Sequence, residues 1–422
     1  MNLIVNFKFL FNLLLDSLTF MNEYIKLLNS HAILKRLSII QLIAYFGAWF
    51  SNVAIYTLLL KMNVSVEVVA FVAMLHFLAG VVQAPFSGTI IDSMKPKKLM
   101  LILLSIEIVA TFLLLLINDT GDLNLLYILI FFKMAAASFY FTTEMSLLPK
   151  ILDADKLQKA NELHSIIWSL SYTLGMALSG FVVYMLGVKV AFILDGFMFV
   201  ISFILLYRLT IDVNPIKSDE NVLQMMRDTF SYLRKTPHAF HLMLVHAFVG
   251  FTAFDALVAL MVDTYYASII ATSLALGLLH SSRAVGLVIG PIIIGNWISK
   301  KRIIYIFIFQ ALAVWIWAFV MHNFYLSLLA SVLVGFFTTT LWSYTYTLLQ
   351  KNIEEKYYGR IVAYNDMLFL STAAFTSFFI GYLHVNNFSL KEVTFVLGGA
   401  FIVGAIYFTW VIKTQSIKDI SL

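Results

Sequence analysis

The chain has 422 residues, 61% of them hydrophobic, 15% aromatic and only 12% charged. A soluble chain carries about 25% charged residues, so an ordinary soluble domain is excluded and an integral membrane protein is indicated. There is no cysteine, which excludes disulfides, thiol nucleophiles and thiolate metal sites, and the net charge of +5 does not call for a nucleic-acid partner.

Taken in order, residues 1–36 form an N-terminal segment. Its opening stretch, MNLIVNFKFLFNLLLDSLTF, is apolar but contains Lys8 and Asp16, and no small-residue cleavage site follows it. Two readings stay open: an interfacial helix, or translation that begins at Met21. Apolar runs long enough to span a bilayer as helices then follow at 37–60, 66–91, 99–117, 125–148, 161–186 and 190–209. Residues 210–238 break the pattern. Asn214, Pro215, Ser218, Asp219 and Glu220 precede Arg227, Asp228, Arg234 and Lys235, which reads as a polar linker carrying a short amphipathic helix. Six further runs occupy 239–262, 272–297, 303–321, 324–349, 361–384 and 393–412, and a tail of 413–422 closes the chain. The expected fold class is all-α integral membrane, with about twelve transmembrane helices in two six-helix pseudo-symmetric halves, 37–209 and 239–412.

Charge placement supports this reading. With a cytoplasmic N-terminus, only Lys61, Lys189 and Lys391 fall in outer loops and only Lys133 and Arg283 within spans. The other 23 of the 28 basic residues lie in cytoplasmic segments, as the positive-inside rule requires. The halves also repeat. GVVQAP at Gly80–Pro85 is echoed by GLVIGP at Gly286–Pro291, half a chain later, and each copy runs on to a basic cluster, Lys95/Lys97/Lys98 and Lys300/Lys301/Arg302. LLPKILDADKLQKA at Leu147–Ala160 similarly faces LLQKNIEEKYYGRI at Leu348–Ile361. Two halves related by an axis along the membrane normal are a transporter architecture.

These stretches carry a family resemblance. Gly88, Asp92, Lys97 and Lys98 reproduce the signature-loop spacing of the major facilitator superfamily, and residues 37–412 resemble that superfamily as a whole. Within it, Ser146–Ile166, Leu174–Val183, Ser281–Pro291 and Gln350–Ala363 are most similar to the bacterial exporter branch that includes the enterobactin exporter and macrolide-efflux proteins. The resemblance implies efflux of a small molecule by alternating access, with antiport of protons as the implied drive, in a bacterial inner membrane with both termini cytoplasmic. A monomer is expected. An importer on the same fold, and a non-transporting membrane sensor or assembly protein, stay open. The chain departs from the pattern at Ser93, where Arg is usual, at Pro96, where Gly is frequent, at Met176, where the antiporter motif has Pro, and at Lys133, where drug exporters often have Arg. These departures bear on antiport and drug specificity, not on the fold.

Gly88, Asp92, Lys95, Lys97 and Lys98 are the gating-loop candidates. The lysines hold the loop on the cytoplasmic side, and Asp92, at a helix end, is suited to pair with a base or with a helix N-terminus. The bland alternative is a solvated turn. Ionisable groups inside spans are costly and so are functional candidates. Lys133, Tyr140 and Glu144 share one face of the fourth span, with roughly 16 Å of helix rise between Lys133 and Glu144, too far for a direct pair. The resemblance turns this face to the central cavity; a structural ion pair to a neighbouring helix is the alternative for Lys133. Asp255 and Arg283 are expected to pair across the seventh and eighth spans and to offer a substrate or proton-coupling site, with a static bridge as the alternative. Glu107 is expected to meet a neighbouring helix, Asp195 to reach water near the outer start of the sixth span, and Asp366 to begin the eleventh.

Gln41, Tyr45, Trp49, Asn52 and Tyr56 fall on one face of the first span and are expected to line the cavity, joined by Tyr140, Tyr172 and Trp342; a packing seam is the alternative. Aromatic walls with few charges suit an amphipathic organic substrate such as a drug or siderophore. No phosphate-binding loop, HExxH or clustered metal-ligand pattern is present, so neither an enzyme activity nor a cofactor or metal is expected. His76, His164, His246 and His384 read as local hydrogen-bonding groups.

Overall fold

In a hydrocarbon layer every backbone N–H and C=O must be bonded within the chain, and a helix does this residue by residue. The computed structural model describes residues 24–213, 222–294, 297–354 and 357–418. The expectations for residues 1–23, including the choice of start, lie outside them. Among the described residues, twelve helices are long and apolar enough to cross a membrane. They are α1 (Ala32–Lys61), α2 (Val66–Ser93), α3 (Pro96–Leu113), α4 (Leu123–Ile151), α5 (Ala154–Leu186) and α6 (Val188–Arg208), then α7 (Pro237–Tyr266), α8 (Thr272–Ile294), α9 (Ile303–Val320), α10 (Phe324–Lys351), α11 (Tyr358–Val385) and α12 (Leu390–Thr414). No strand occurs among the described residues. The protein is an all-α membrane fold of two six-helix halves.

Local chemistry sets the turns. A single residue, Gly187, joins α5 to α6, and its φ of +87° is a conformation that glycine adopts without a side-chain clash. Asn63 and Asn387 take left-handed conformations after α1 and α11, where an asparagine is the best tolerated side chain. Ser389 and Glu392 close a reciprocal capping box at the start of α12. The span that breaks midway is α7. It is α-helical over Pro237–Ala247, tightens to 3₁₀ over Phe248–Thr252, restarts at Asp255–Met261 and ends in a π turn at Val262–Tyr266. At the break, Gly250 lies against the Phe369 carbonyl of α11, where a Cβ would approach to 2.7 Å.

In the first half α1 packs on α5 and α6, α2 on α4, and α3 on α4 and α6. In the second, α8 packs on α10, and α9 on α10 and α12. The halves meet through α2 against α11 and α5 against α8. The helix Val222–Lys235 and Lys418, which bonds to Asn352 at the end of α10, mark one end of the bundle, here the linker face; the opposite end is the far face. The linker helix Val222–Lys235 is fastened to the second half. Tyr232 stacks on Tyr357 at 4.1 Å, its hydroxyl accepts the Glu354 N–H at 3.0 Å, and Phe230 packs on Tyr364.

The tightest crossing is between α8 and α10. A Cβ on Gly286 would overlap the carbonyl of Val332, and one on Gly335 would overlap the carbonyl of Arg283. Close backbone approach through small residues is how membrane helices gain packing without a hydrophobic drive. Gly286→Leu is therefore expected to cost at least about 1–3 kcal/mol by overpacking. Thermal melting of the detergent-purified protein checks this, and a wild-type melting temperature would refute the close crossing.

Candidate transport site

Lys133 does not face a cavity. Its ammonium lies inside the first half among α1, α3, α4 and α6, 2.5 Å from Asp195 Oδ2, and donates to Thr111 Oγ1 at 2.7 Å and Ser51 Oγ at 3.2 Å. Ser51 also donates to Asp195, and the Phe199 ring lies under the ammonium at 4.8 Å. Both charges are buried, Asp195 completely. The expectation that Asp195 reaches water fails because α6 packs on α1 at this level, where Gly47 abuts the carboxylate. Glu107 is buried on α3, within electrostatic reach of the pair. The lysine therefore takes the structural-pair alternative: its ammonium is held by a carboxylate oxygen, two hydroxyls and a ring, while Asp195 Oδ1, against Gly47, has no hydrogen-bond partner among the described residues.

Nearer the linker face, Glu144 and Tyr140 are buried within the same half. Gln41 on α1 donates to His164 Nδ1 on α5 at 2.6 Å, and Tyr45 and Phe141 pack edge-on against the His164 ring. The α1 stripe continues as an aromatic stack, Trp49 against Tyr172 at 4.5 Å and Trp168 against Tyr172 at 5.4 Å. Gln41 and Asn52 are buried and Tyr45 and Trp49 half-buried, so in this arrangement the stripe is largely a seam between α1 and α5. In the second half His246 donates to or accepts from Thr345 at 2.8 Å and is ringed by Trp342, Tyr346 and Phe369. Trp342 keeps a partly exposed face. His76 and His384 each make a local bond to a backbone carbonyl.

The two halves meet at a third cluster. Tyr172 of α5 lies 3.2 Å from His280 Nδ1 of α8, and His280 Nε2 lies 3.9 Å from Asp255 Oδ1 of α7. Arg283, one turn along α8, donates to the Thr252 carbonyl at 2.8 Å and covers the Phe254 ring at 5.3 Å. No direct Asp255–Arg283 bridge forms; the α7 break supplies the arginine with a carbonyl, and the histidine stands between the acid and Tyr172. Tyr56 of α1, stacked on His76 of α2, lies within electrostatic reach of Asp255. One base, one acid, one histidine and aromatic walls thus converge from α1, α2, α5, α7 and α8, and Asp255 retains 17% side-chain exposure. Such a group can bind a polar end of a small molecule and relay a proton.

Of the loop residues, Lys97 donates to the Tyr207 carbonyl of α6 at 2.8 Å, and Lys95 and Lys98 are exposed. Gly88 and Asp92 lie on α2, but their side chains fall outside the described residues. Asp366 does not begin α11; it sits well inside it, half-buried beside Asn365. Sequence reading missed Ser51, Thr111, Thr252 and Phe254. Only the three hydroxyl residues left a signal, as polar groups within spans.

The family described as Major Facilitator Superfamily matches residues 37–268 and 256–420. The chain belongs to the major facilitator superfamily of membrane transporters. It is 31% identical over 87 residues to the uncharacterized MFS-type transporter YkuC of Bacillus subtilis (strain 168). That match spans 21% of this chain and a fifth of the relative's own length. Among solved structures, the D-xylose-proton symporter superposes with a TM-score of 0.71 at 11% identity, covering 88% of this chain and 97% of the other. The nucleoside transporter NupG gives 0.68 at 12%, covering 91% and 100%. A bacterial homologue of the iron transporter ferroportin in the inward-facing state gives 0.67 at 17%, covering 91% and 99%. At these identities the likeness is one of fold.

Breaking the buried pair one side at a time, as Lys133→Met or Asp195→Asn, is expected to cost about 3–5 kcal/mol, whereas Lys133→Met with Asp195→Leu recovers most of it. Chemical or thermal unfolding in detergent distinguishes the three variants. A double variant no better than the singles would sink the structural role.

Proposed function

We propose that this chain is a proton-driven exporter of a small amphipathic organic molecule, a drug, siderophore or similar compound, working by alternating access. The observation that carries the reading is the Tyr172–His280–Asp255 group with Arg283 beside it, buried at the junction of the two halves. A titratable set at that junction is sealed while the halves are closed there and wetted when they part. An imidazole and a carboxylate 3.9 Å apart can share one exchanged proton between them. Arg283 and the Trp49–Trp168–Tyr172 wall offer a polar anchor and an apolar face to one substrate. Resemblance to the bacterial exporter branch supports outward transport.

In this reading Gly88, Asp92, Lys95, Lys97 and Lys98 close the linker face when the far face opens. The protein acts as a monomer in a bacterial inner membrane with both termini cytoplasmic. Asp92→Asn is expected to cripple transport with expression unchanged.

Accumulation of a panel of fluorescent amphipathic compounds and siderophores in pump-deficient cells tests the proposal, with and without a protonophore. The wild-type chain lowers accumulation of at least one compound, the protonophore abolishes that effect, and Asp255→Asn reduces it about tenfold or more. Export insensitive to the protonophore would remove the proton from the scheme. No effect on any compound would remove amphipathic export.

A further inference from the structure

A cavity lies away from the Tyr172–His280–Asp255 group. It has a volume of about 380 Å³ and opens between the start of α3 and the end of α6, at the linker face on the outer wall of the first half. Lys95, Lys97 and Lys98 rim it, and Leu101, Phe203 and Ile211 form its walls. We propose that this cavity is a binding site for an anionic phospholipid.

Three features converge on that ligand. The first is depth. The lysines flank the first turn of α3, which begins at Pro96, and Leu101 follows one turn further along. One turn is about 5.4 Å, the step from headgroup level to the acyl boundary. The second is chemistry. Lys97 is steered by the Tyr207 carbonyl at 2.8 Å and the Tyr207 ring at 5.7 Å, so its ammonium is held in place, while Lys95 and Lys98 remain exposed. Three ammonium groups over an apolar floor match a phosphate carrying acyl chains, and basic pockets between spans at the charged side of a membrane are suited to anionic headgroups. The third is continuity. Past Ile102, which lines the cavity, α3 and α6 expose Ile106, Val109 and Ile201, apolar side chains that face lipid. An acyl chain leaving the cavity would run along that wall without crossing water. The volume is that of a small-ligand site, and neither transport helix pair, α2 with α11 or α5 with α8, contributes to it.

Native mass spectrometry of the detergent-purified full chain tests the assignment. Palmitoyl-oleoyl phosphatidylglycerol is expected to be retained over the phosphatidylethanolamine of the same chains. Each lysine near the surface contributes about fivefold, so Lys95→Gln with Lys98→Gln should lower phosphatidylglycerol retention about 25-fold. Glycerol 3-phosphate, which has the headgroup charge without the chains, should not displace the lipid. Lys300→Gln with Lys301→Gln, an equal loss of charge at the same face, should leave retention within about twofold. Size-exclusion elution and melting temperature report whether each variant is folded. Equal retention of the two lipids, equal loss in both lysine-pair variants, or displacement by glycerol 3-phosphate would each overturn the proposal, the last by reassigning the cavity to a soluble anion.

Discussion

No water reaches the hydrocarbon core of a bilayer to take up a stray N–H, C=O or charge, and that constraint shapes every polar feature of this protein. Twelve helices settle the backbone account almost everywhere. Where α7 breaks at Thr252, the freed carbonyl is claimed by Arg283, and the guanidinium is in turn covered by Phe254. A defect in one helix and a charge in the next thus solve each other. The same logic assembles Lys133, Asp195, Ser51 and Thr111 from four helices. Neither charge could stand alone in that interior without a penalty of several kcal/mol.

The two halves share a plan but use charge differently. In the first half the ion pair is internal, tying α4 to α6 with α1 and α3 attached. In the second, α10 and α9 meet through the neutral pair Thr338 and Gln310 at 3.5 Å, while the charges Asp255 and Arg283 are at the junction. A half braced from within can move as one body. At the junction the polar contacts include Tyr172–His280 and Ser281 donating to the Thr173 carbonyl at 2.9 Å, beside the close approach of α5 and α8 at Gly180 and Gly277.

The linker follows from the same division. Its helix is fastened by Tyr232 and Phe230 to Tyr357 and Tyr364 at the start of α11. The Lys418 N–H bonds to Asn352 Oδ1 at 2.7 Å, so the tail is held on that half as well. The described linker helix and the Lys418 end of the chain therefore belong mechanically to the second half.

The apolar runs, the paired GVVQAP and GLVIGP segments and the lopsided lysines made the helices and their two-fold repetition legible, because a bilayer imposes length and charge side on a chain one segment at a time. Periodicity also put Lys133, Tyr140 and Glu144 on one face of α4. It could not say what that face meets, since partner choice depends on how α1, α3 and α6 tilt and how closely glycines such as Gly47 let them approach. Asp195 looked like an end residue by position along the chain, yet packing against α1 seals it. Asp255 and Arg283 were recognisable as charges in adjacent spans, but the break in α7 and the insertion of His280 between acid and tyrosine arise from contacts with α11 and α5. The sequence by itself determined which segments cross and in what number. Only the tertiary structure decided which buried polar groups satisfy which, because that choice is made between helices far apart in the chain.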